Sequence, residues 1–367
     1  MKQIPVILIL ILISLNMHAQ KNFHSDDLVP VASFDHSMAI GLSVNSENRV
    51  FVAFPNYDGG GKWAVTEETN GTIKAYPNED WNHPNGNYAT SFLRVQDMYV
   101  DAEDNLWVLD SKPAPGSSIL GEGKNKARGQ FKLVKINTGN NKVEKVYFFE
   151  DLDKSKAGLN DVRVDVQKNL AYLSDPGRAA IVVVDLNSGN SRTVLRESPY
   201  TLADPDVVLA YNGKEMRDRG GHPFRSHVNG IALTHDHKYF YFKPINQEHL
   251  FRIETRYLAD PSIAAKALED KVEDMGTVGI THGLIADRSG NIYLSTSTDF
   301  SISYLSPDGK VHRLVKDSRI LWPDSFGIGN DGYLYFTCAQ LQRLPQWNAG
   351  LDKTEYPYTV YKVRLAR

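Results

Sequence analysis

Residues 96–110 read QDMYVDAEDNLWVLD, which is an apolar strand, a polar turn that ends in Asn, and a second strand that carries an aromatic residue. Short runs rich in Val, Ile, Tyr and Phe between polar turns are typical of β-strands. The same unit recurs five more times, at residues 40–53, 160–175, 229–243, 282–296 and 324–337. Each copy is predicted to be a β-hairpin, and no amphipathic helix of useful length accompanies them.

A second pair of strands follows most of these hairpins, as in Phe131 to Ile136 and Val143 to Phe148. Four strands per repeat make a propeller blade. The fold class is therefore predicted to be all-β, a six-bladed β-propeller with four antiparallel strands per blade. Because the sixth repeat is one strand short, we expect Leu28 to Phe34 to supply its outer strand and close the ring.

The first twenty residues form a separate segment, with Lys2, an apolar run from Val6 to Leu15, and Ala19 near a plausible cleavage point. This pattern predicts a signal peptide, residues 1–20, ahead of a single propeller domain, residues 21–367. An uncleaved membrane anchor is the alternative, but the run is shorter than the roughly 18 to 20 residues that a spanning helix needs. We expect a secreted or periplasmic protein with no membrane contact after cleavage.

The charge balance narrows the choice of partner. With 41 Lys and Arg against 44 Asp and Glu, the formal net charge is -3. No broad cationic surface is expected, which argues against binding of nucleic acid. We expect a monomer that binds a small-molecule ligand. Cys338 is the only cysteine, so internal disulfides are excluded and a buried apolar role is predicted for it.

The first strand of each blade lines the tunnel of a propeller, so its opening residue is expected to face the axis. Aligning the hairpins gives six such residues, called the ring residues here: Ile40, Gln96, Asn160, Asn229, His282 and Asp324. Five of the six are polar, although their strand neighbours are apolar. A ligand site at the tunnel mouth is one interpretation. A hydrogen-bonded plug with buried water is the other.

The ring also contains oxygen donors for a divalent metal ion. The candidate ligands are Asn160, Asn229 and Asp324. Calcium is a better match than zinc because these donors are oxygens. Only Asp324 is charged, and His282 contributes a nitrogen that calcium does not favour. No cofactor is certain from the sequence, and a bound calcium ion is one possibility.

The segment from Arg217 to His227 is expected to overhang the same mouth. Arg225 and His222 are candidate ligand-binding residues, together with Gln96, Asn160 and Asn229 in the ring. His227 or His282 is the candidate catalytic base, with Asp324 as its partner. A solvated cationic loop is the alternative. A glycine-rich loop, residues 55–63, lacks the context of a phosphate-binding loop.

Several stretches resemble the major royal jelly protein and Yellow family, whose members are secreted six-bladed propellers. The resemblance covers most of residues 30 to 345 and rests on five short motifs: Tyr76-Pro77 with Trp81-Asn82, Leu106 to Asp110, Tyr241 to Pro244, Trp322-Pro323-Asp324, and Leu341-Gln342-Arg343. Insect members usually carry cysteine pairs, which this chain lacks, so it resembles a bacterial member.

The blades are more distantly similar to gluconolactonases and senescence-marker lactonases, in which a tunnel metal is held by Glu, two Asn-bearing blades and Asp. Asn160 and Asn229 match the two asparagines of that pattern. Ile40 stands at the glutamate position and His282 at the aspartate position, so the resemblance does not carry over the metal-dependent activity as a whole.

Three classes of function remain open from the sequence. The first is an enzyme, for which a lactonase-like or esterase-like hydrolase comes before an isomerase or tautomerase. The second is a non-catalytic binder of small amines, phenols or sugars. The third is a protein-interaction scaffold whose tunnel is only a plug. The sequence does not identify the ligand.

Overall fold

The computed structural model describes residues 22–55, 61–69, 71–83, 87–113 and 129–366. The predicted signal peptide lies outside the described residues, as do residues 56–60 of the glycine-rich loop. Among the described residues, no helix has the length and apolar character needed to cross a membrane.

The described strands form six four-stranded antiparallel sheets arranged as the blades of a propeller, which confirms the predicted fold class. The strands of blades 1 to 3 are Leu42–Val44, Val50–Ala53, Val65–Thr69 and Thr72–Ala75; Val95–Val100, Asn105–Lys112, Gln130–Asn137 and Lys142–Tyr147; and Val162–Asp165, Leu170–Asp175, Ala180–Asp185 and Ser191–Val194. Those of blades 4 to 6 are Val228–Leu233, Tyr239–Pro244, His249–Glu254 and Glu273–Thr277; Leu284–Ala286, Ile292–Leu294, Ser301–Leu305 and Val311–Lys316; and Pro323–Ile328, Tyr333–Cys338, Tyr358–Arg364 and Val29–Phe34.

The remaining described elements are short. They are the α-helices Glu79–Asn82, Thr255–Ala259 and Ala265–Glu269, the 3₁₀-helices Ser297–Asp299, Leu341–Arg343 and Pro345–Trp347, and a small hairpin of Ala210–Tyr211 with Lys214–Glu215. The absence of a long amphipathic pattern in the sequence agrees with these lengths.

The sixth blade closes the ring as predicted. Val29–Phe34 pairs antiparallel with Tyr358–Arg364, so the two ends of the propeller share one sheet. The first strands of neighbouring blades contact each other all the way round the tunnel. This closure leaves no blade unpartnered in the ring.

A recurring aspartate explains why the hairpin motif repeats. In blade 2, Asp101 accepts hydrogen bonds from the Asn105 backbone N–H (2.9 Å) and from Trp107 Nε1 (2.7 Å). In blade 5, Asp287 accepts the equivalent bonds from Asn291 (2.9 Å) and from the Tyr293 hydroxyl (3.0 Å). The side chain therefore holds the tight turn and the aromatic of the second strand together.

The core consists of apolar layers between blades. In the described part of the chain, one buried cluster lies between each pair of neighbouring blades, such as that of Leu109, Leu133 and Val182 between blades 2 and 3. Cys338 is buried in the layer between blades 5 and 6, as expected for a small apolar residue. A further cluster lies over one mouth of the tunnel and is described below.

Candidate functional site

Hydrogen bonds between neighbouring blades link some of the ring residues. Gln96 Nε2 donates to Asn160 Oδ1 (3.3 Å), which joins blades 2 and 3. The Thr337 hydroxyl of blade 6 donates to the carbonyl of Ile40 in blade 1 (2.7 Å). These bonds connect residues that the sequence separates by whole blades.

Glycines that directly follow the ring residues allow the inner strands to approach closely. A Cβ on Gly230 would lie 2.1 Å from the carbonyl oxygen of His282, and one on Gly283 would lie 1.7 Å from that of Asp324. Real atoms do not approach so closely, so only glycine fits at these two positions. The backbones of blades 4, 5 and 6 therefore converge next to the ring.

Three ring residues lie at irregularities of the strand pairing. Gln96, Asn229 and Asp324 each fall within a register shift between the first and second strands of their blades. A β-bulge bends its strand and redirects a side chain, and such bulges are common next to functional sites. The bulges help to explain why polar side chains enter an otherwise apolar strand.

Two buried carboxylates next to the ring were not among the predicted site residues. Asp97 follows Gln96 in the chain, and it accepts hydrogen bonds from Arg163 Nη1 (3.1 Å) and the Ser325 hydroxyl (3.3 Å). Asp161 follows Asn160 and accepts a bond from the amide of that residue (2.7 Å). The two dipeptides Gln96-Asp97 and Asn160-Asp161 were the available sequence signal.

Burial controls the ionisation of both carboxylates. It raises the pKa of Asp97 although the Arg163 guanidinium opposes the shift. It also raises the pKa of Asp161 well above its usual value, and the negative charges of Asp97 and Asp324 act in the same direction. The tunnel therefore contains a group of acids that repel one another and tend to retain protons.

Arg163 crosses the tunnel beneath the ring. From blade 3 it bonds to Asp97 in blade 2, and its Nη2 donates to the carbonyl of Leu284 in blade 5 (2.9 Å). Its guanidinium also lies 5.4 Å from the ring centre of Tyr99. Because it joins blades that are not neighbours, this side chain fills the middle of the tunnel. Arg163 is not a ring residue, so the plug predicted for the tunnel mouth stays a prediction.

His282 is the most enclosed polar ring residue, with 1% of its surface exposed. Its ring stacks on Trp322 at a centroid distance of 3.8 Å, and its Nε2 lies 2.5 Å from the Ser297 hydroxyl. Ser297 is in turn 2.9 Å from the Tyr211 hydroxyl. The other nitrogen, Nδ1, is buried and has no hydrogen-bond partner in the described structure.

Burial lowers the pKa of His282 to about 3, and the nearby charge of Lys243 adds to the effect. The imidazole is therefore neutral throughout the physiological range. A base with so low a pKa is poorly matched to proton abstraction near neutral pH, although it remains able to form hydrogen bonds. The catalytic role predicted for His282 stays a prediction.

Asp324 is the ring residue best suited to proton transfer. It is only partly buried, and it accepts one hydrogen bond from Trp322 Nε1 (3.0 Å). Burial raises its pKa to about 7, with a further contribution from the charge of Asp97. Trp322 has a left-handed backbone (φ of 54°), which is a strained conformation for a bulky residue. Trp322 thus contacts two ring residues: it donates a hydrogen bond to Asp324, and its ring stacks on His282.

Lys243 is a further buried ionisable residue near the ring that was not among the predicted site residues. It is fully buried opposite Gly230 in the hairpin of blade 4, and its Nζ donates to the carbonyl of Pro244 (3.1 Å). Burial lowers its pKa to about 7. By contrast, buried Lys132 is bonded to Asp110 and to two carbonyls, as a structural lysine should be. The only signal for Lys243 was its position within an apolar strand.

The segment from Arg217 to His227 lies over the tunnel mouth. Its apolar side chains face the mouth, and its charged side chains do not. The side chain of His222 is 81% exposed and pairs with Asp218. Exposed Arg225 donates to the carbonyls of Asp204 and Pro205. Neither has a hydrogen bond to a ring residue in the described part of the chain. Their ligand-binding roles remain predictions without support from this geometry.

His227 is half-buried beside the same segment. Its Nδ1 accepts a hydrogen bond from the Ala203 backbone N–H (2.9 Å). Burial lowers its pKa, and the charge of Arg225 lowers it further. Because Nδ1 accepts from the backbone, the proton of the neutral ring is on Nε2. The catalytic role predicted for His227 also stays a prediction.

The cover of the mouth, called the lid here, is an apolar cluster above His282 and Ile40. Its buried members are Leu209, Tyr211, Met216, Phe224, Ile245, Phe300, Leu321, Trp322, Ala339 and Leu341. Phe224 contacts Trp322 with ring centres 5.4 Å apart. The lid therefore shields the ring from bulk water and accounts for the displaced pKa values beneath it.

Two of the three candidate metal ligands have hydrogen-bond partners within the protein. Asn160 uses its oxygen to accept from Gln96, and Asp324 accepts from Trp322. Within the described ranges no three His, Cys, Asp or Glu side chains are grouped to hold a metal ion. Calcium takes six to eight oxygens. The metal-binding roles predicted for Asn160, Asn229 and Asp324 therefore stay predictions.

Solved structures with similar folds have low sequence identity to this chain. A gluconolactonase from Xanthomonas campestris has a TM-score of 0.56 at 10% identity, covering 92% of this chain and 89% of its own. A calcium-binding regucalcin from Agrobacterium tumefaciens has a TM-score of 0.53 at 12% identity, covering 91% and 92%. A streptogramin B lyase has a TM-score of 0.51 at 12% identity, covering 92% and 97%. At these identities the likeness supports the fold alone.

Family membership rests on a longer sequence match. No curated protein is similar enough to this chain to count as a relative. The family model described as major royal jelly protein matches residues 93–367, which extend from the start of blade 2 to the end of the chain. The chain is thus a six-bladed propeller that belongs to the major royal jelly protein family.

Proposed function

We propose that this protein binds a small polar organic molecule in the lidded tunnel and acts on it through proton transfer by Asp324. The observation that carries the proposal is the position of Asp324. It is the one carboxylate among the ring residues, it is only partly buried, and desolvation raises its pKa to about 7. A carboxyl group tuned to neutral pH transfers protons efficiently in both directions.

Hydrolysis of a lactone or ester-like bond is the first reaction class. Asp324 takes a proton from water as the water oxygen attacks the carbonyl carbon. The proton then passes to the departing alkoxide as the C–O bond breaks. The amides of Gln96, Asn160 and Asn229 lie at the same level and orient the substrate. The gluconolactonase among the similar folds makes this class the natural first choice, as an analogy of fold.

Other ligands and reactions follow from the same site. A tautomerase would need only the proton transfer by Asp324, and a non-catalytic binder of amines, phenols or sugars would need only the amides and the lid. A scaffold role would need neither. In each case we propose a secreted or periplasmic monomer that does not bind nucleic acid.

The test is a screen of small lactones and aryl esters with the wild-type protein, Asp324→Asn and Asp308→Asn. Asp308 is a carboxylate on a surface turn and serves as the matched control. We expect turnover to rise with pH through about 7 and to fall by roughly 100-fold or more in Asp324→Asn. The control should keep full activity.

Binding variants test the site independently of the reaction class. Asn229→Ala and His282→Ala should lose ligand binding or turnover while the protein stays folded. Unchanged activity in both would place the site outside the ring. The same assays with added calcium and with a chelator examine the metal, and a chelator-dependent loss of activity would replace this mechanism with a metal-assisted one.

A further inference from the structure

A pocket of about 190 Å³ opens on the lid, outside the tunnel. A cavity of roughly 150 Å³ holds benzene, so this volume suits one aromatic ring with small substituents. Its apolar wall is formed by Tyr211, Met216, Phe300, Leu321 and Trp347. Three aromatic side chains in one small pocket favour a flat aromatic ligand.

The rim of this pocket is positively charged. Lys214, Arg343 and Lys353 line it, and Glu215 is the one acid among the lining residues. Glu215 forms an ion pair with Arg217 (2.5 Å), and Arg343 forms one with Glu355 (2.5 Å).

Two positive charges are left over on the rim. Among the residues that the structure describes, Lys214 bonds only to neutral oxygens, those of Asn348 and Trp347. In the described part of the chain the exposed ammonium of Lys353 has no ion pair with a carboxylate. A negatively charged group on the ligand would therefore be favoured here.

One further residue that lines the pocket has a hydrogen-bond acceptor without a donor in the described structure. The amide oxygen of Gln342 is buried and has no partner in the described structure. A buried acceptor without a partner costs free energy, and because Gln342 lines the pocket, a ligand hydroxyl that reached this oxygen would recover that cost.

The pocket is separate from the tunnel site. Tyr211 forms part of the dividing wall, since its ring lines the pocket while its hydroxyl contacts Ser297 on the tunnel side (2.9 Å). Ser297 contacts His282 in turn.

We propose that the lid pocket binds a small aromatic carboxylate that carries a hydroxyl group. The aromatic ring lies against Tyr211, Phe300 and Trp347, the carboxylate faces Lys214 and Lys353, and the hydroxyl donates to Gln342.

The test measures binding of 4-hydroxybenzoate by calorimetry and by quenching of tryptophan fluorescence. We expect one site per chain, whose affinity falls with added salt. The uncharged 4-hydroxybenzyl alcohol and the cationic tyramine should bind at least about fivefold more weakly, as expected from exposed charge interactions. Equal affinity for the three probes would overturn the proposal.

Variants locate the ligand. The double variant Lys214→Gln with Lys353→Gln should weaken 4-hydroxybenzoate binding by at least about fivefold. The double variant Lys266→Gln with Lys310→Gln, which removes two other surface lysines, should leave it unchanged. Tyr211→Phe keeps the aromatic wall and should retain binding. Unchanged affinity in the first double variant would overturn the assignment.

The tunnel variant Asp324→Asn separates this proposal from the proposed function. It should retain 4-hydroxybenzoate binding even if it abolishes turnover. Loss of binding in Asp324→Asn would place the ligand in the tunnel and reject the lid pocket.

Discussion

At the scale of single residues, the site depends on ionisable groups whose ordinary properties are changed by burial. Asp324 and Lys243 both have pKa values of about 7, although one is an acid and the other a base. Desolvation disfavours the charged form of each, which raises the first and lowers the second. A tunnel closed by an apolar lid provides that desolvation for both.

We predict that Asp324→Asn stabilises the protein at neutral and alkaline pH. The folded pKa of Asp324 is about 7, against an ordinary value of 3.8. Between these values the unfolded chain has released the proton and the folded protein has not, so the stability of the wild type falls as pH rises. Asparagine has no charge to bury.

The expected gain is about 1 to 3 kcal/mol at pH 8, below the full value of roughly 1.4 kcal/mol per pKa unit because the residue is only partly buried. The gain should vanish near pH 4. Denaturant unfolding of both proteins at several pH values measures it. A difference that does not change with pH would contradict the assigned pKa.

At the scale of elements, the lid depends on one buried side chain. Asn246 follows the second strand of blade 4 and is fully buried. Its side chain accepts from the Ser226 N–H (2.8 Å) and donates to the carbonyls of Val207 and Phe224 (both 3.0 Å). It thereby joins the two ends of the segment that covers the tunnel.

We predict that Asn246→Ala destabilises the protein by about 2 to 4 kcal/mol, because it leaves two buried backbone groups and one partly buried carbonyl without these partners. Hydrogen exchange should increase in residues 204–226 first, since these residues lose their anchor. Gln167→Ala, an exposed residue in a turn of blade 3, is the control and should change neither stability nor exchange. Uniform exchange across the blades would show that Asn246 does not hold the lid.

At the scale of the whole molecule, stability depends on closing the ring. Val29–Phe34 completes blade 6, and Phe34 also packs on Phe54 with ring centres 4.9 Å apart. The closing strand therefore contacts both the last blade and the first. Without it, Tyr358–Arg364 would be an unpaired edge.

We predict that a chain starting at His36 unfolds at a lower temperature than a chain starting at Asn22 and self-associates through the exposed edge. Loss of the buried Phe34 side chain alone is expected to cost about 3 kcal/mol. Thermal unfolding and size-exclusion chromatography measure both effects, and a peptide of residues 22–36 added in trans should partly restore the melting temperature. Equal melting temperatures and a monomeric truncated chain would contradict the closure argument.

The sequence by itself determined the propeller and its closing strand, and it predicted the ring residues of the tunnel. The hairpins repeat along the chain, because each hairpin needs the same alternation of apolar residues and the same turn residues, such as Asp101 with Asn105. The ring residues followed from one position in that repeat. Their contacts with the lid did not, because Phe224 and Trp322 come from segments without a repeat.

Only the tertiary structure decided the chemistry of the tunnel. Asp97 meets Arg163 and Ser325 from three different blades, and Lys243 lies near His282 across a blade boundary. Such contacts join residues far apart in sequence, and nothing in the local pattern encodes them. The ionisation of these groups depends on how completely the assembled fold excludes water, which is a property of the closed ring and its lid rather than of any segment.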